Sequence, residues 1–223
     1  MSGLLKHFVC GVTLIVAAMC ALAAGAAEKT VCGLSVKTDA ALSPDGKMAA
    51  VIREEPTGDP DPQFDKAGAL WLRDCRTGRE RRLMPAVAPK GNNRWIDLGS
   101  PVFSLDGRIL YVSGAPGGDS LIIFRVDPVT GRYVEALYAE LLGIITNGPY
   151  RGDILATQHT LLYNGKKDKK DQNGYGGYPV YVFDPRGRVL RYIGGSQDWD
   201  DKRLRRWLKG QGWQMSWAGQ LAP

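Results

Sequence analysis

Histidine is nearly absent from this chain of 223 residues, which has two. His7 lies in an apolar leader, so His159 alone is left for the body of the protein. One imidazole with no sequence-marked partner gives neither a general base with an orienting group nor a Cys/His zinc set. His159 therefore reads as a structural residue. No Gly-x-Ser-x-Gly elbow is present, and Ser43 and Ser104 sit in turns, so the usual exposed nucleophile is missing. Gly174, Gly176 and Gly177 do not open a helix, which excludes a phosphate loop. Beyond residue 27 no apolar run is long enough to span a bilayer. The net charge of +6 is mild and not gathered into a basic stripe, which argues against nucleic acid as a partner. Helical periodicity is weak until residue 200. No catalytic residue, metal ligand or cofactor site is marked by the sequence.

The first residues read as an address. Lys6 and His7 precede a nearly unbroken apolar run, Phe8 to Leu22, followed by Ala23-Ala24-Gly25-Ala26-Ala27. This is the layout of a secretory signal peptide over residues 1–27, with cleavage after Ala26 or Ala27. A retained anchor is the rival reading. Lipid attachment at Cys20 is disfavoured by bulky Met19 before it. The expected location is periplasmic or secreted, with no stable membrane span after signal removal. Of the four cysteines, Cys32 and Cys75 remain, and a lone pair in an oxidising compartment is usually bonded. If each lies at an opposite end of its own strand, about 26 Å separates them. They can pair only if the N-terminal segment folds back along the first repeat.

What the chain does have is a repeat. Ser43-Pro44-Asp45-Gly46-Lys47 recurs as Ser104-Leu105-Asp106-Gly107-Arg108. Asp74-Cys75-Arg76-Thr77-Gly78-Arg79 recurs as Asp127-Pro128-Val129-Thr130-Gly131-Arg132, and in shortened form as Asp184-Pro185-Arg186-Gly187-Arg188. Proline presets the first corner of such a turn, aspartate caps it, and glycine supplies positive φ. Three four-stranded units follow. The first has strands a to d near Lys37–Leu42, Met48–Arg53, Ala69–Asp74 and Glu80–Met84. The second has Pro101–Ser104, Ile109–Ser113, Leu121–Asp127 and Tyr133–Tyr138. The third has Leu142–Thr146, Ile154–Tyr163, Tyr178–Asp184 and Val189–Ile193, and its first turn keeps only a glycine in Tyr150-Arg151-Gly152-Asp153. The imperfect alternation suits strands sandwiched between neighbouring sheets. Residues 28–199 are thus expected to form the repeat domain. In 200–223, Leu204, Trp207 and Leu208 fall at i, i+3 and i+4, which predicts a short amphipathic helix over Asp200–Lys209, stopped by Gly210 and Gly212. Trp213 and Trp217 follow in an extended or irregular tail.

The succession S-P-D-G, apolar strand, L-W-L-R-D and T-G-R resembles the TolB-like, WD40-like β-propeller repeat of bacterial envelope proteins, over roughly residues 38–193. Gly46, Gly78, Gly107 and Gly131 stand at that family's turn positions. The resemblance implies an all-β fold of three propeller-like blades, partial or open, with a short C-terminal helix. Closed propellers use four to eight blades. Three units leave an open stack, an association of two chains, or a third unit that is not a true blade. Open edges need cover, and the tail around Trp207 and Leu208 is the candidate.

Blade connectivity then divides the units into two ends. The a–b and c–d turns are tight, whereas Glu54–Ala67, Pro85–Arg94 and Asn164–Gly177 elaborate the opposite end, where binding is expected. The expected binding face comprises Lys90, Asn92, Asn93, Arg94 and Trp95, with Lys166, Lys167, Lys169, Lys170, Tyr175 and Tyr178. Asp59, Asp61 and Asp65 lack the glycine and distal glutamate of a calcium loop and read as a solvated loop. Trp207, Trp213 and Trp217 read as packing against the last unit before they read as a sugar platform. The implied role is an exported, non-enzymatic binding module whose partner is an envelope protein or anionic cell-wall polymer. The alternative is a periplasmic enzyme acting on cell-wall glycan or peptide from the long-loop face.

Overall fold

A computed structural model describes residues 30–35, 38–62, 65–87, 97–115, 121–158, 160–161, 176–177, 179–195 and 200–221. Most of these lie in strands. A short hairpin comes first, β1 (Thr30–Val31) and β2 (Leu34–Ser35). The first unit is β3 (Ala40–Leu42), β4 (Met48–Pro56), β5 (Lys66–Asp74) and β6 (Glu80–Met84). The second is β7 (Asp97–Phe103), β8 (Leu110–Ala115), β9 (Ile122–Val126) and β10 (Tyr133–Leu137). The third begins with β11 (Glu140–Ile145) and β12 (Ile154–Thr157). A two-rung pair, β13 (Thr160–Leu161) and β14 (Gly176–Gly177), interrupts it before β15 (Val180–Phe183) and β16 (Val189–Gly194). Helix α1 (Asp201–Gly210) and strand β17 (Met215–Trp217) end the fold.

Each unit is an antiparallel meander whose neighbours in sequence are neighbours in the sheet. The repeat expected from the turns is therefore present three times. Alternate residues of every strand serve two interfaces. Ala41, Ala50, Leu70 and Leu72 of the first unit meet Leu98, Phe103, Leu110 and Phe124 of the second. Val102, Tyr111 and Ile123 of the second meet Leu141, Ile144, Ile154 and Phe183 of the third. Burial on both faces explains the near-continuous apolar runs in the inner strands.

Several boundaries differ from the sequence reading. Glu54–Ala67 is not all loop: β4 runs through Pro56 and β5 starts at Lys66, pairing over nine rungs. The Glu55 carboxylate helps hold it, accepting from Trp71 Nε1 across the hairpin and from Arg82 Nη1 of the next strand, β6. The third unit's second strand stops at Thr157, short of Tyr163, because Thr160–Leu161 pair with Gly176–Gly177 instead. Its third strand starts at Val180, later than Tyr178. Of the two forms expected of the tail, part of it takes the extended one. Met215–Trp217 form a strand that pairs with β11 and makes the third sheet five-stranded. A Cβ at Gly143 would strike the Ser216 carbonyl, so glycine permits that approach.

Both outer faces of the stack are covered. On the third unit, Ile145, Leu155, Val180 and Val182 receive Leu204, Leu208 and Trp213. Helix α1 is capped by Asp200, whose carboxylate accepts from Arg203 N at 2.7 Å. The helix therefore covers a sheet face, whereas β17 covers the open edge. Arg191 lies 5.5 Å from the Trp213 ring centroid and 5.9 Å from those of Tyr150 and Trp207. On the first unit, Ala40, Ala49 and Val51 receive Leu34 and Leu221, with Cys32 and Cys75 beside them. Cys32 and Cys75 form a disulfide with their Cα atoms 4.6 Å apart. The fold-back that such pairing requires is present, because Cys32 is not on an extended strand. It sits with Gly33 at the tip of the β1–β2 hairpin, at φ 57° and 71°. Those angles suit a two-residue turn of the primed kind and fold the segment back.

Candidate functional site

Two places bring polar groups of different units together. The first is the tight-turn end. Ser43 Oγ donates to Asp45 Oδ1 at 2.7 Å and accepts from Met48 N at 2.9 Å. Ser104, Asp106 and Ile109 repeat this at the same distances. Gly46 and Gly107 complete the turns at φ 70°, as their positions in the repeat require. Hydrogen bonds from the serine hydroxyls hold both carboxylates below the ordinary aspartate range. Asp74 and Asp127 are lowered too, Asp74 chiefly by the backbone N–H of Thr77 and Asp127 chiefly by the Thr130 hydroxyl. Carboxylates filled in this way staple turns.

Between the first two units these turns enclose a cleft of about 450 Å³. Met48, Leu72 and Phe103 give it apolar walls, while Asp45, Asp106 and Val129 also line it. Arg81 crosses from β6 to the carbonyls of Pro128 and Val129, the latter at 2.9 Å, and ties the two units together.

The second place is a junction along the first strands of the units. Asp39 Oδ2 accepts from Ser100 N at 2.9 Å. Gly219 N, just beyond β17, donates to Pro101 O at 2.8 Å. A Cβ at Gly219 would collide with the Asp39 carboxylate. Burial raises the Asp39 pKa, and the hydrogen bond from Ser100 opposes that rise. Leu221 then enters the apolar cluster of the first unit. Residues 215–221 therefore touch all three units in turn, as a strap across them.

The sequence-expected binding residues Lys90, Asn92, Asn93, Arg94, Trp95, Lys166, Lys167, Lys169, Lys170, Tyr175 and Tyr178 lie outside the described residues, as do His159 and the leader 1–27. In the acidic loop, Asp59 Oδ1 accepts from Asp61 N at 2.9 Å. Among the described residues no three His, Cys, Asp or Glu side chains gather as a metal site. No helix among them is long and apolar enough to cross a membrane. The tryptophans of the tail are packed: Trp213 meets Tyr150 at 5.0 Å and Trp207 at 5.7 Å between ring centroids. Sequence reading missed the strap, since Gly219 and Leu221 carry no motif.

No protein-family model matches the chain, and no curated protein matches it. Among solved structures the chain is similar to β-propeller proteins. TolB from Acinetobacter baumannii shares 20% identity over 69% of this chain and 31% of its own, with a TM-score of 0.40. The β-propeller domain of the Trilobed protease from Pyrococcus furiosus shares 14% over 70% of this chain and 41% of its own, at 0.43. Porphyromonas gingivalis dipeptidyl peptidase 4 shares 15% over 76% of this chain and 25% of its own, at 0.44. The chain spans between a quarter and half of the length of these proteins.

Proposed function

We propose that this chain is an exported, non-enzymatic binding module of the cell envelope, built on a partial propeller, with its binding face at the long-loop end. The observation that carries this reading is the difference between the two ends of the units. At one end the turns are short and their carboxylates are spent on turn amides and hydroxyls. At the other, the β4–β5 hairpin and the β13–β14 pair reach beyond the shared four-stranded plan. Surface elaborated on a rigid scaffold is where contacts evolve. The Cys32–Cys75 disulfide favours an oxidising compartment. Lysines at 166, 167, 169 and 170 with tyrosines at 175 and 178 suit an acidic envelope protein or anionic wall polymer.

The test uses the chain from residue 28 as immobilised bait for envelope extract, with bound proteins and wall polymer quantified. Lys166/Lys167/Lys169/Lys170→Glu is expected to cut recovery at least tenfold. Arg76/Arg79→Glu, on exposed residues of the tight-turn end, is expected to leave it intact. Loss in the second variant alone, with both folded, would show that the binding face has been placed at the wrong end.

A further inference from the structure

Where the second unit meets the third, two buried polar atoms have no hydrogen-bond partner among the described residues: the Tyr111 hydroxyl and Arg125 Nε. Tyr111 is 1% exposed. The two residues stand directly opposite each other in the β8–β9 ladder. Their side chains therefore leave the same face, the one on which Tyr111 and Ile123 pack against the third unit. Native interiors rarely leave such donors idle, and two idle neighbours mark a place where an acceptor belongs.

Arg125 also walls a cleft of about 320 Å³, together with Arg108 and Arg132. Three arginines thus line it; Tyr111 is not itself in the lining but is the cross-strand partner of Arg125. The cleft's single acid, Asp127, has both oxygens engaged in its own turn, by Val129 N and Thr130 N on one and the Thr130 hydroxyl on the other. Arg108 approaches Asp106 only to 3.9 Å. Ile109 and Val134 supply apolar wall beside these charges. The volume suits a small molecule.

We propose that this cleft binds a small organic carboxylate, with Arg125 as the principal anchor, the Tyr111 hydroxyl as a neighbouring donor, and Arg108 and Arg132 steering from the surface. A guanidinium is well matched to a carboxylate. An organic anion is preferred over an inorganic one, because part of the cleft wall is apolar. Ile109 and Val134 accommodate the carbon body. The site lies at the tight-turn end, so it is separate from the long-loop face and does not rest on the role proposed for that face.

The experiment is a thermal-melt and NMR titration of the folded chain with sodium benzoate, at constant ionic strength and near pH 7. Benzyl alcohol and inorganic phosphate serve as comparators. Benzoate is expected to raise the melting temperature saturably, phosphate to act at least fivefold more weakly, and benzyl alcohol to do nothing. Arg125→Gln should abolish the benzoate response. Tyr111→Phe should weaken it at least fivefold without lowering the melting temperature of the unliganded protein, since the hydroxyl it removes is idle there. Should Arg125→Gln fail to fold, Arg108→Gln/Arg132→Gln at exposed positions should still weaken benzoate severalfold. Three results would overturn the proposal: no saturable response to benzoate, a response unchanged in Tyr111→Phe and the arginine variants, or phosphate binding more tightly than benzoate. A bridging water as sole occupant would show as a destabilised Tyr111→Phe with no benzoate response, which also overturns it.

Discussion

The two outer faces of the stack pose one problem and answer it differently. Each is an antiparallel sheet without a neighbouring unit. The first unit presents small side chains, Ala40, Ala49 and Val51, and is covered by a hairpin with two-residue strands. So little apolar area cannot hold the hairpin alone, and a disulfide anchors it. Arg73 adds a second tie, donating from Nε to Cys32 O at 3.0 Å and from Nη1 to Glu80 at 2.8 Å. The third unit presents Ile145, Leu155, Val180 and Val182 and is covered by a ten-residue helix and tryptophans, with no covalent link. Where a sheet face is shallow the cover is bonded; where it is deep the cover is packed.

That contrast can be broken from either side. Leu208 is 1% exposed at the centre of the packed cover. Leu208→Ala should cost about 2–5 kcal/mol, through lost burial and the cavity left behind. Urea unfolding followed by tryptophan fluorescence would read it, and a cost below about 1 kcal/mol would mean the helix is not seated as described. Cys32→Ser/Cys75→Ser closes no loop of the unfolded chain and should cost about 2–4 kcal/mol. Exchange of amide hydrogens in residues 30–35 should accelerate more than that in α1. Equal acceleration at both ends would erase the distinction.

The middle unit provides the reference. Gly107 and Gly131 lie at φ 70° and 74°, and Gly46 in the bonded unit at φ 70°. Valine at any of the three should cost about 1–3 kcal/mol, since a β-branched residue adopts that conformation only under strain. Unchanged melting for all three would contradict the turn geometry. The smallest effect belongs to the helix cap. Asp200→Ala removes the acceptor for Arg203 N and should cost about 0.5–2 kcal/mol, measurable as a lower melting temperature.

Much of the fold was legible in the sequence because its turns announce themselves. Ser43 to Gly46, Asp74 to Gly78 and their repeats carry residue types that each satisfy a local need, and most strands between them fall within a few residues, the third unit's second strand excepted. The helix was legible from Leu204, Trp207 and Leu208. Less legible was whatever depends on distant partners. Whether Cys32 reaches Cys75 stays open in the sequence, because nothing local fixes a hairpin with two-residue strands. Met215–Trp217 pair with β11 at a place where Gly143 leaves room for the approach, which no local pattern announces. Tyr111 and Arg125 looked like ordinary strand residues. Their juxtaposition follows from the β8–β9 register, and their idle atoms from burial against the third unit.

The strap has a consequence for the order in which the molecule assembles. Each four-stranded unit closes through short-range pairings, whereas Gly219 meets Pro101, and Leu221 meets Ala40, across most of the chain. Contacts of such long sequence separation are slow to form and cooperative once made. The three meanders are therefore expected to appear first, as loosely docked sheets, with residues 215–221 locking last in a single step. Stopped-flow refolding should show β-sheet circular dichroism ahead of burial of Trp217, and Gly219→Val should slow the late phase while sparing the early one. Coincident kinetics for both signals would mean that the strap guides the docking of the sheets instead of sealing it.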